Sequence, residues 1–363
     1  MVVFMIYIFH FFIVISLYIL FGRNNQTKNI FIVSSFIYVL FVFGQRWMTG
    51  TDFPNYLRYF ITDFTRQEWG YFGLQNLLSH FDLYFGLLII IVLFITQINF
   101  YRFFLKINNQ APLMIAIFLI SEMFFGQLSQ IRQYAAISFY LNSYYYAHKN
   151  KYTKSIFNLI LGYSFHSVAL YLLPFLFIKT PISKKIALFF FISALFFPLI
   201  DIHIIFNLPV ISDYIRYMGG HFDQPLGFGH NIKYYSMLLV VIYYIQNLKP
   251  LPKNNMNNFI LNGLILYFLI YGFSFHFAPV FRVATFFQAF EIIFLIGYAN
   301  QLKYIPDFVS KKIVVCLFFG IFCFSSLVDS YNVRKYQFRP LRVYEERTDT
   351  ELIYELEEFK QRK

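Results

Sequence analysis

The residues able to do chemistry are few, and they sit in the breaks between long apolar stretches. Arg46, Asp52 and Tyr56 lie in Gln-Arg-Trp-Met-Thr-Gly-Thr-Asp-Phe-Pro-Asn-Tyr, residues 45–56, and Glu68 follows in Glu-Trp-Gly-Tyr-Phe. Arg132 and Gln133 close the run Gln-Leu-Ser-Gln-Ile-Arg-Gln at the mouth of an apolar segment, and Arg282 stands at another mouth, six residues after His276. His166 lies deep inside an apolar run, in Tyr-Ser-Phe-His-Ser-Val-Ala. A guanidinium presents a planar fork of donors that matches phosphate oxygens. An arginine entering a bilayer is costly and faces a cavity or a partner, unless it snorkels to headgroup depth. Asp52 reads either as the N-cap of a helix that accepts Pro54 in its first turn, or as a surface carboxylate acting as a base. His166 reads either as a hydrogen-bonded core residue or as a general base, since ionisable groups at membrane depth are functional by default.

The loop holding Asp213, His221, Asp223 and His230 is rich in tyrosine and glycine. Its spacing matches no helical ligand motif, so no metal centre is expected. Aromatic faces beside hydrogen-bonding groups suit sugars instead, which makes His221, Asp223, His230 and His276 candidate glycan contacts. Beyond Arg282, the residues Thr285, Gln288 and Glu291 recur every three positions as a broad polar stripe, suited to hydrogen bonding between helices. There is no glycine-rich phosphate loop, no Asp-x-Asp pair and no serine elbow, so no cofactor is expected. Nothing in the chain points to nucleic acid.

The elements that must position these groups are apolar. Of 363 residues, 58% are hydrophobic and 13% charged, against about a quarter charged in a soluble domain. That excludes a soluble enzyme. Apolar segments run approximately over 2–21, 30–44, 83–105, 111–125, 133–147, 155–178, 186–206, 232–248, 259–275, 282–299 and 313–328. Without water in the bilayer core, spanning segments of this kind must be helices. The first lacks a basic flank and a small-residue cleavage site, and reads as an uncleaved span rather than a signal peptide. Cys316 and Cys323 share one apolar segment, too far apart along a helix for a disulfide.

Charge placement sets the topology. If all eleven segments cross, Lys and Arg divide nine against twelve between the two faces, with no bias. The lysine-rich runs 148–154 and 179–185 then fall on opposite sides. If 155–178 instead enters and returns, broken around Gly162 to His166, the division becomes fifteen against six, the positive-inside pattern. The expected fold is therefore an all-α polytopic membrane protein of about ten transmembrane helices plus one re-entrant segment, with long extracytoplasmic loops. Residues 1–328 form the transmembrane domain and 329–363 a charged C-terminal tail. This topology puts Arg46, Asp52, Arg132, His221, Asp223, His230, His276 and Arg282 on the extracytoplasmic face, with His166 reaching toward them.

Four motifs in this order resemble the EpsG family of polysaccharide polymerases. Arg46, Gly50-Thr-Asp52, Tyr56 and Glu68-Trp-Gly70 resemble its opening signature. Ile131-Arg-Gln-Tyr-Ala-Ala136 is similar to its arginine-bearing helix start, Ser164-Phe-His-Ser167 to its histidine element, and Arg282 to the arginine of its late helix. Lys335 to Pro340 resembles the family's closing segment more loosely, because Leu341 stands where a tyrosine is common. The resemblance spans about residues 30–340, and the 221–230 loop matches none of these motifs.

The resemblance implies a glycosyltransferase in the bacterial cytoplasmic (inner) membrane that polymerises O-antigen, capsule or exopolysaccharide. Repeat units carried on undecaprenyl diphosphate would be joined at the outer leaflet without metal or cofactor. Expected partners are the lipid-linked oligosaccharide, membrane lipids and a chain-length regulator. Arg132, Arg282 and Arg46 would then hold the diphosphate, His166 or Asp52 would take the hydroxyl proton, and Tyr56, Glu68 and Gln133 would touch glycan. Two other readings stand beside it: a membrane O-acyltransferase that decorates surface glycans, and a lipid-linked oligosaccharide flippase or transporter.

Overall fold

The computed structural model describes residues 2–47, 50, 52–62, 68–107, 110–200, 225–247, 255–298 and 349–361, and their regular structure is helical. Cys316, Cys323, His221, Asp223 and the 335–341 motif lie outside the described residues. The chain divides into two compact units, Met1–Leu173 with Cys323–Lys363, and Pro174–Phe322. The first holds α1 (Val2–Leu17), α2 (Lys28–Gly44), α3 (Phe53–Ile61), α4 (Trp69–His80), α5 (Phe85–Ile107), α6 (Ala111–Ile120), α7 (Glu122–Ser129), α8 (Ile131–His148), α9 (Tyr152–Phe165) and α10 (Val168–Tyr171). The second holds α11 (Lys184–Ala194), α12 (Phe228–Asn247), α13 (Asn255–Phe273), α14 (Phe281–Ala284) and α15 (Ala289–Tyr298). Near the C-terminus, α16 (Asp349–Gln361) rejoins the first unit and packs on α3, with Leu352 and Leu356 buried.

This is the architecture of a helical membrane protein, but the number of crossings established is smaller than ten. Among the described residues, Phe85–Ile107 and Met256–Phe273 are long and apolar enough to span a bilayer. Two bent pairs, Ala111–Ile120 with Glu122–Ser129 (55°) and Ala278–Phe287 with Ala289–Gly297 (44°), raise the number to four if each is one span. The shortfall has physical causes. Helices α2 and α9 have 17 and 14 residues, hence about 21–26 Å of length against about 30 Å of hydrocarbon. The expected segment 313–328 lies outside the described residues, as does the end of 186–206.

Helix α8 is the core of the first unit. Its 18 residues extend about 27 Å, and all except Arg132, Tyr145 and Tyr146 are buried. Burial requires its polar side chains to find partners inside the bundle. Asn142 donates to the carbonyls of Asn99 (2.9 Å) and Ser138 (2.8 Å) and accepts from Lys106 (2.7 Å). The hydroxyls of Ser143 and Ser155 each donate to the other's carbonyl, at 2.8 and 2.9 Å. Toward the start of α8, Phe139 stacks on Phe165 at the end of α9 with centroids 5.9 Å apart. These pairings step along α8 and α9 in opposite directions, so the two helices form an antiparallel hairpin.

The hairpin delivers the end of α9 to the start of α8. Helix α9 stops at Phe165, and His166 is extended (φ −158°, ψ 125°). The chain then reverses: Ala169 N–H bonds the His166 carbonyl, and Tyr140 donates its hydroxyl to the Leu172 carbonyl at 3.1 Å. The break expected around Gly162 to His166 therefore falls at His166, and Leu172 already lies back beside the middle of α8. At the far end of α8, Lys106 sits 4.3 Å from the Tyr146 ring, while Lys149 and Lys154 approach Tyr145 and Tyr146 at 5.9 Å. Helices α5, α8 and α9 contain no Asp or Glu, so this end is strongly cationic.

A histidine that carries no motif secures the bend between α6 and α7. Ser121 at the break is extended, and carbonyls near the end of α6 lose helical partners. His10 of α1, 1% exposed, puts Nε2 2.8 Å from the Leu119 carbonyl and Nδ1 3.1 Å from the Tyr38 hydroxyl. Its ring stacks on Phe124 at 4.9 Å and meets Phe43 edge-on at 4.8 Å. Replacing His10 by leucine leaves a buried carbonyl unmet. Such a loss costs about 1–3 kcal/mol, and His10→Leu is expected to lower the thermal midpoint in detergent, whereas Tyr38→Phe lowers it less. Equal midpoints for His10→Leu and wild type would contradict this role.

A candidate functional site around Arg132

The site in the first unit is built from three chain breaks. The first follows α2. Arg46 is 1% exposed, and its Nη1 donates to the Phe43 carbonyl at 2.9 Å, so the cation sits at the negative end of α2. Trp47, fully buried, stacks on Tyr84 at 5.7 Å and meets Phe53 edge-on at 5.4 Å, anchoring the loop. Gly50 then adopts φ +95°, and a Cβ there would stand 2.6 Å from the Leu128 carbonyl oxygen. Only glycine permits both this left-handed turn and this approach to the end of α7. Asp52 takes the N-cap position of α3 with Pro54 in the first turn, but its side chain makes no capping hydrogen bond.

The second break precedes α4. Gly70 lies against the reversal after α9: a Cβ there would run into the Ser164 hydroxyl, and would lie 2.7 Å from Ser164 Cβ and 2.8 Å from its carbonyl oxygen. This contact sets Glu68, at the N-cap of α4, beside residues 166–168. Glu68 Oε1 accepts the Ser167 N–H at 3.3 Å, and Oε2 pairs with Nη1 of Arg132. The side chains of Arg132 and Glu68 are 22% and 20% exposed, so the pair is partly open.

The third break is the α7–α8 junction, which places Arg132 in the first turn of α8. Its guanidinium carbon lies 5.5 Å from the Tyr56 ring and 5.6 Å from the Tyr71 ring, and the two rings are 5.7 Å apart. Tyr56 also hydrogen-bonds Arg132 through its side chain. Two π-faces and one carboxylate thus hold a cation that would otherwise be costly at this depth. Burial pushes the Tyr71 phenol well above its ordinary pKa and Tyr56 adds to the rise, while Arg132 and Arg46 pull it down. Both arginines therefore act on one ring. The Tyr71 hydroxyl and Arg132 Nε are buried without a hydrogen-bond partner among the described residues.

His166 follows directly. Its Nδ1 accepts the Val168 N–H at 3.4 Å, which leaves the ring proton of neutral imidazole on Nε2. The cluster therefore unites Arg132, Glu68 and Tyr56 from the sequence reading, with His166 one peptide away from the Glu68 contact. Gln133, by contrast, is 3% exposed and faces the interior. Tyr71 and the Ser167 N–H are additions. Tyr71 sits one residue after Gly70 in the glutamate motif, but only the fold reveals that its ring meets Arg132.

In the second unit, His230 Nδ1 lies 3.1 Å from the Tyr271 hydroxyl, which donates to the His230 carbonyl at 3.2 Å. His276 Nε2 donates to the Pro198 carbonyl at 2.7 Å. Both rings thus have bonds within the fold. Arg282 is exposed in α14, and Thr285, Gln288 and Glu291 are buried where the helix is broken by a 3-10 turn at Thr285–Phe287. Among the described residues, no three His, Cys, Asp or Glu side chains gather to hold a metal ion.

The family whose profile matches, over residues 29–342, is described as the EpsG family. No curated protein and no solved structure matches the chain.

The two glycines of α4 offer a test of opposite signs. Gly73 has nothing within 4 Å of a built Cβ, so Gly73→Ala gains about 0.5–1 kcal/mol from helix propensity. Gly70→Ala must push α4 from Ser164 and is expected to lower the thermal midpoint. A Gly70→Ala protein as stable as Gly73→Ala would contradict the close approach.

Proposed function

The chain belongs to the EpsG family, a group of membrane proteins of polysaccharide biosynthesis, and on that premise we propose that it is a surface-polysaccharide polymerase. It transfers repeat units from a lipid diphosphate carrier, undecaprenyl diphosphate, to a hydroxyl of an acceptor glycan in O-antigen, capsule or exopolysaccharide. The observation that carries the reading is Arg132: a partly exposed guanidinium, caged by Tyr56 and Tyr71, in the first turn of an 18-residue helix.

The reaction concentrates negative charge on a departing diphosphate. Arg132 lies where that charge is best met, because the N-terminal end of α8 adds its positive dipole to the guanidinium. Arg282, exposed in α14 of the second unit, is proposed as a phosphate contact. Arg46, hydrogen-bonded to the Phe43 carbonyl at the end of α2, supports the loop that leads to the site. With Nδ1 engaged, His166 presents Nε2 to a substrate oxygen, and Asp52, at the N-cap position of α3, contacts acceptor hydroxyls. A lipid carrier also accounts for a polar site inside an apolar bundle.

The site is proposed to face outward. Its α3 carries α16 of the tail, while the far end of α8 gathers Lys106, Lys149 and Lys154, as expected of a cytoplasmic face. In a background lacking Cys316 and Cys323, Tyr354→Cys is expected to react with an impermeant maleimide in spheroplasts, and Tyr152→Cys only after lysis. The opposite labelling would invert the topology.

The functional test is a gel of surface polysaccharide from cells carrying Arg132→Ala. Removing one preorganised donor to a developing anion costs about a hundred- to a thousandfold in rate. Long chains should vanish while single repeat units persist on the carrier. Normal chain length with altered acetylation would favour an acyltransferase and reject the polymerase.

A further inference from the structure

We propose that the Glu68 carboxylate is the proton acceptor of the transfer reaction, released for that role when the substrate diphosphate takes Arg132. The proposal rests on the polymerase reading above and assigns its base. Three observations single out Glu68. Its oxygens are not used to cap α4, although it occupies the N-cap position. Oε1 is held by the Ser167 N–H, next to His166, and Oε2 by Arg132 Nη1. Both side chains of the pair retain about a fifth of their exposure, so a ligand reaches the pair from one side.

His166 is less suited to the task, because its Nδ1 already accepts from Val168 and a neutral ring then offers a donor at Nε2. Glu68 is an acceptor at both oxygens when ionised. In the resting state, Arg132 Nη1 occupies its Oε2. A diphosphate carries more charge than one carboxylate and matches the arginine fork bidentately, so it displaces Glu68 from Nη1. The carboxylate then keeps the Ser167 N–H, loses its cation and gains an anionic neighbour. Its Oε2 is then open to the proton of an acceptor hydroxyl. The base is thus activated only when the leaving group is in place.

The step balances. The acceptor hydroxyl gives its proton to Glu68 Oε2 as its oxygen bonds the anomeric carbon. The bond from that carbon to the diphosphate oxygen breaks, and its electron pair leaves with the lipid diphosphate beside Arg132. Glu68 later returns the proton to solvent or product, and Arg132 closes on it again. Gly70 against Ser164 keeps Glu68 and residues 166–167 in register throughout.

The test uses full-length protein in membranes, with lipid-diphosphate-linked repeat units as substrate and a short-chain polyprenyl diphosphate as binding probe. Glu68→Gln should bind the probe as tightly as wild type or more tightly, because a competitor for Arg132 is gone. Its transfer rate should fall about a hundredfold or more, the usual contribution of a general base, and the acidic limb of the pH–rate profile should disappear. Glu68→Asp should keep measurable transfer with a displaced acidic limb. Transfer at the wild-type rate in Glu68→Gln, or an unchanged acidic limb, overturns the proposal. Loss of probe binding together with transfer in both variants also overturns it, as that marks a purely structural partner of Arg132. Absence of transfer by wild-type protein itself would instead overturn the polymerase reading.

Discussion

A guanidinium at the mouth of an apolar bundle must be neutralised, solvated or caged, and Arg132 is held by all three at once. Glu68 supplies the charge, Tyr56 and Tyr71 supply π-faces, and an open side retains part of its contact with solvent. The partners come from α3 and α4, which follow the first long polar break, whereas the arginine belongs to α8. Breaking such a partly buried pair by deleting one member leaves an uncompensated charge and costs about 3–5 kcal/mol when burial is deep. At about a fifth exposure the penalty is smaller, because solvent screens what remains. That intermediate condition suits a site in which the ion pair must form and exchange.

Backbone contacts, more than side chains, bring those partners together. Gly50 lets the loop after α2 reach the end of α7, just before Arg132, and Gly70 seats α4 on the reversal after α9. The α8–α9 hairpin returns the chain to the level at which it entered, so Ser167 meets the same carboxylate as Arg132. The motifs around Arg46 to Gly70, Arg132 and His166 therefore mark chain breaks, where helix ends release polar groups and a ligand can approach. His10 does comparable work at the α6–α7 bend, away from any such motif.

Much of this was legible in the sequence, and the rest was hidden for identifiable reasons. Apolar stretches announced helices, the polar breaks drew attention to Arg132 and Glu68, and His166 stood out as an ionisable group inside an apolar run. The rupture at His166 was foreshadowed by lysine runs on both sides of one apolar segment. Helix α8 was harder to read as buried, since Asn142, Ser143 and three tyrosines (Tyr134, Tyr140 and Tyr144) are polar in sequence but bonded or enclosed in the bundle. Gln133 looked like a glycan contact because it follows Arg132, yet one helical step rotates it about 100° into the core. His230 and His276 were read as candidate glycan contacts, and each has a partner within the fold, the Tyr271 hydroxyl on the next helix and the Pro198 carbonyl respectively. Tyr71 could be seen only once α4 was set against α8.

The most direct measurement of the central claim is the affinity of purified protein for a short-chain polyprenyl diphosphate, compared between wild type and Arg132→Ala. A charge-assisted hydrogen bond contributes about 1.5–3 kcal/mol, so the account predicts binding weakened by about tenfold to a hundredfold. Equal affinity in the two proteins would mean that the caged arginine does not hold the diphosphate, and the mechanism built on it would fail.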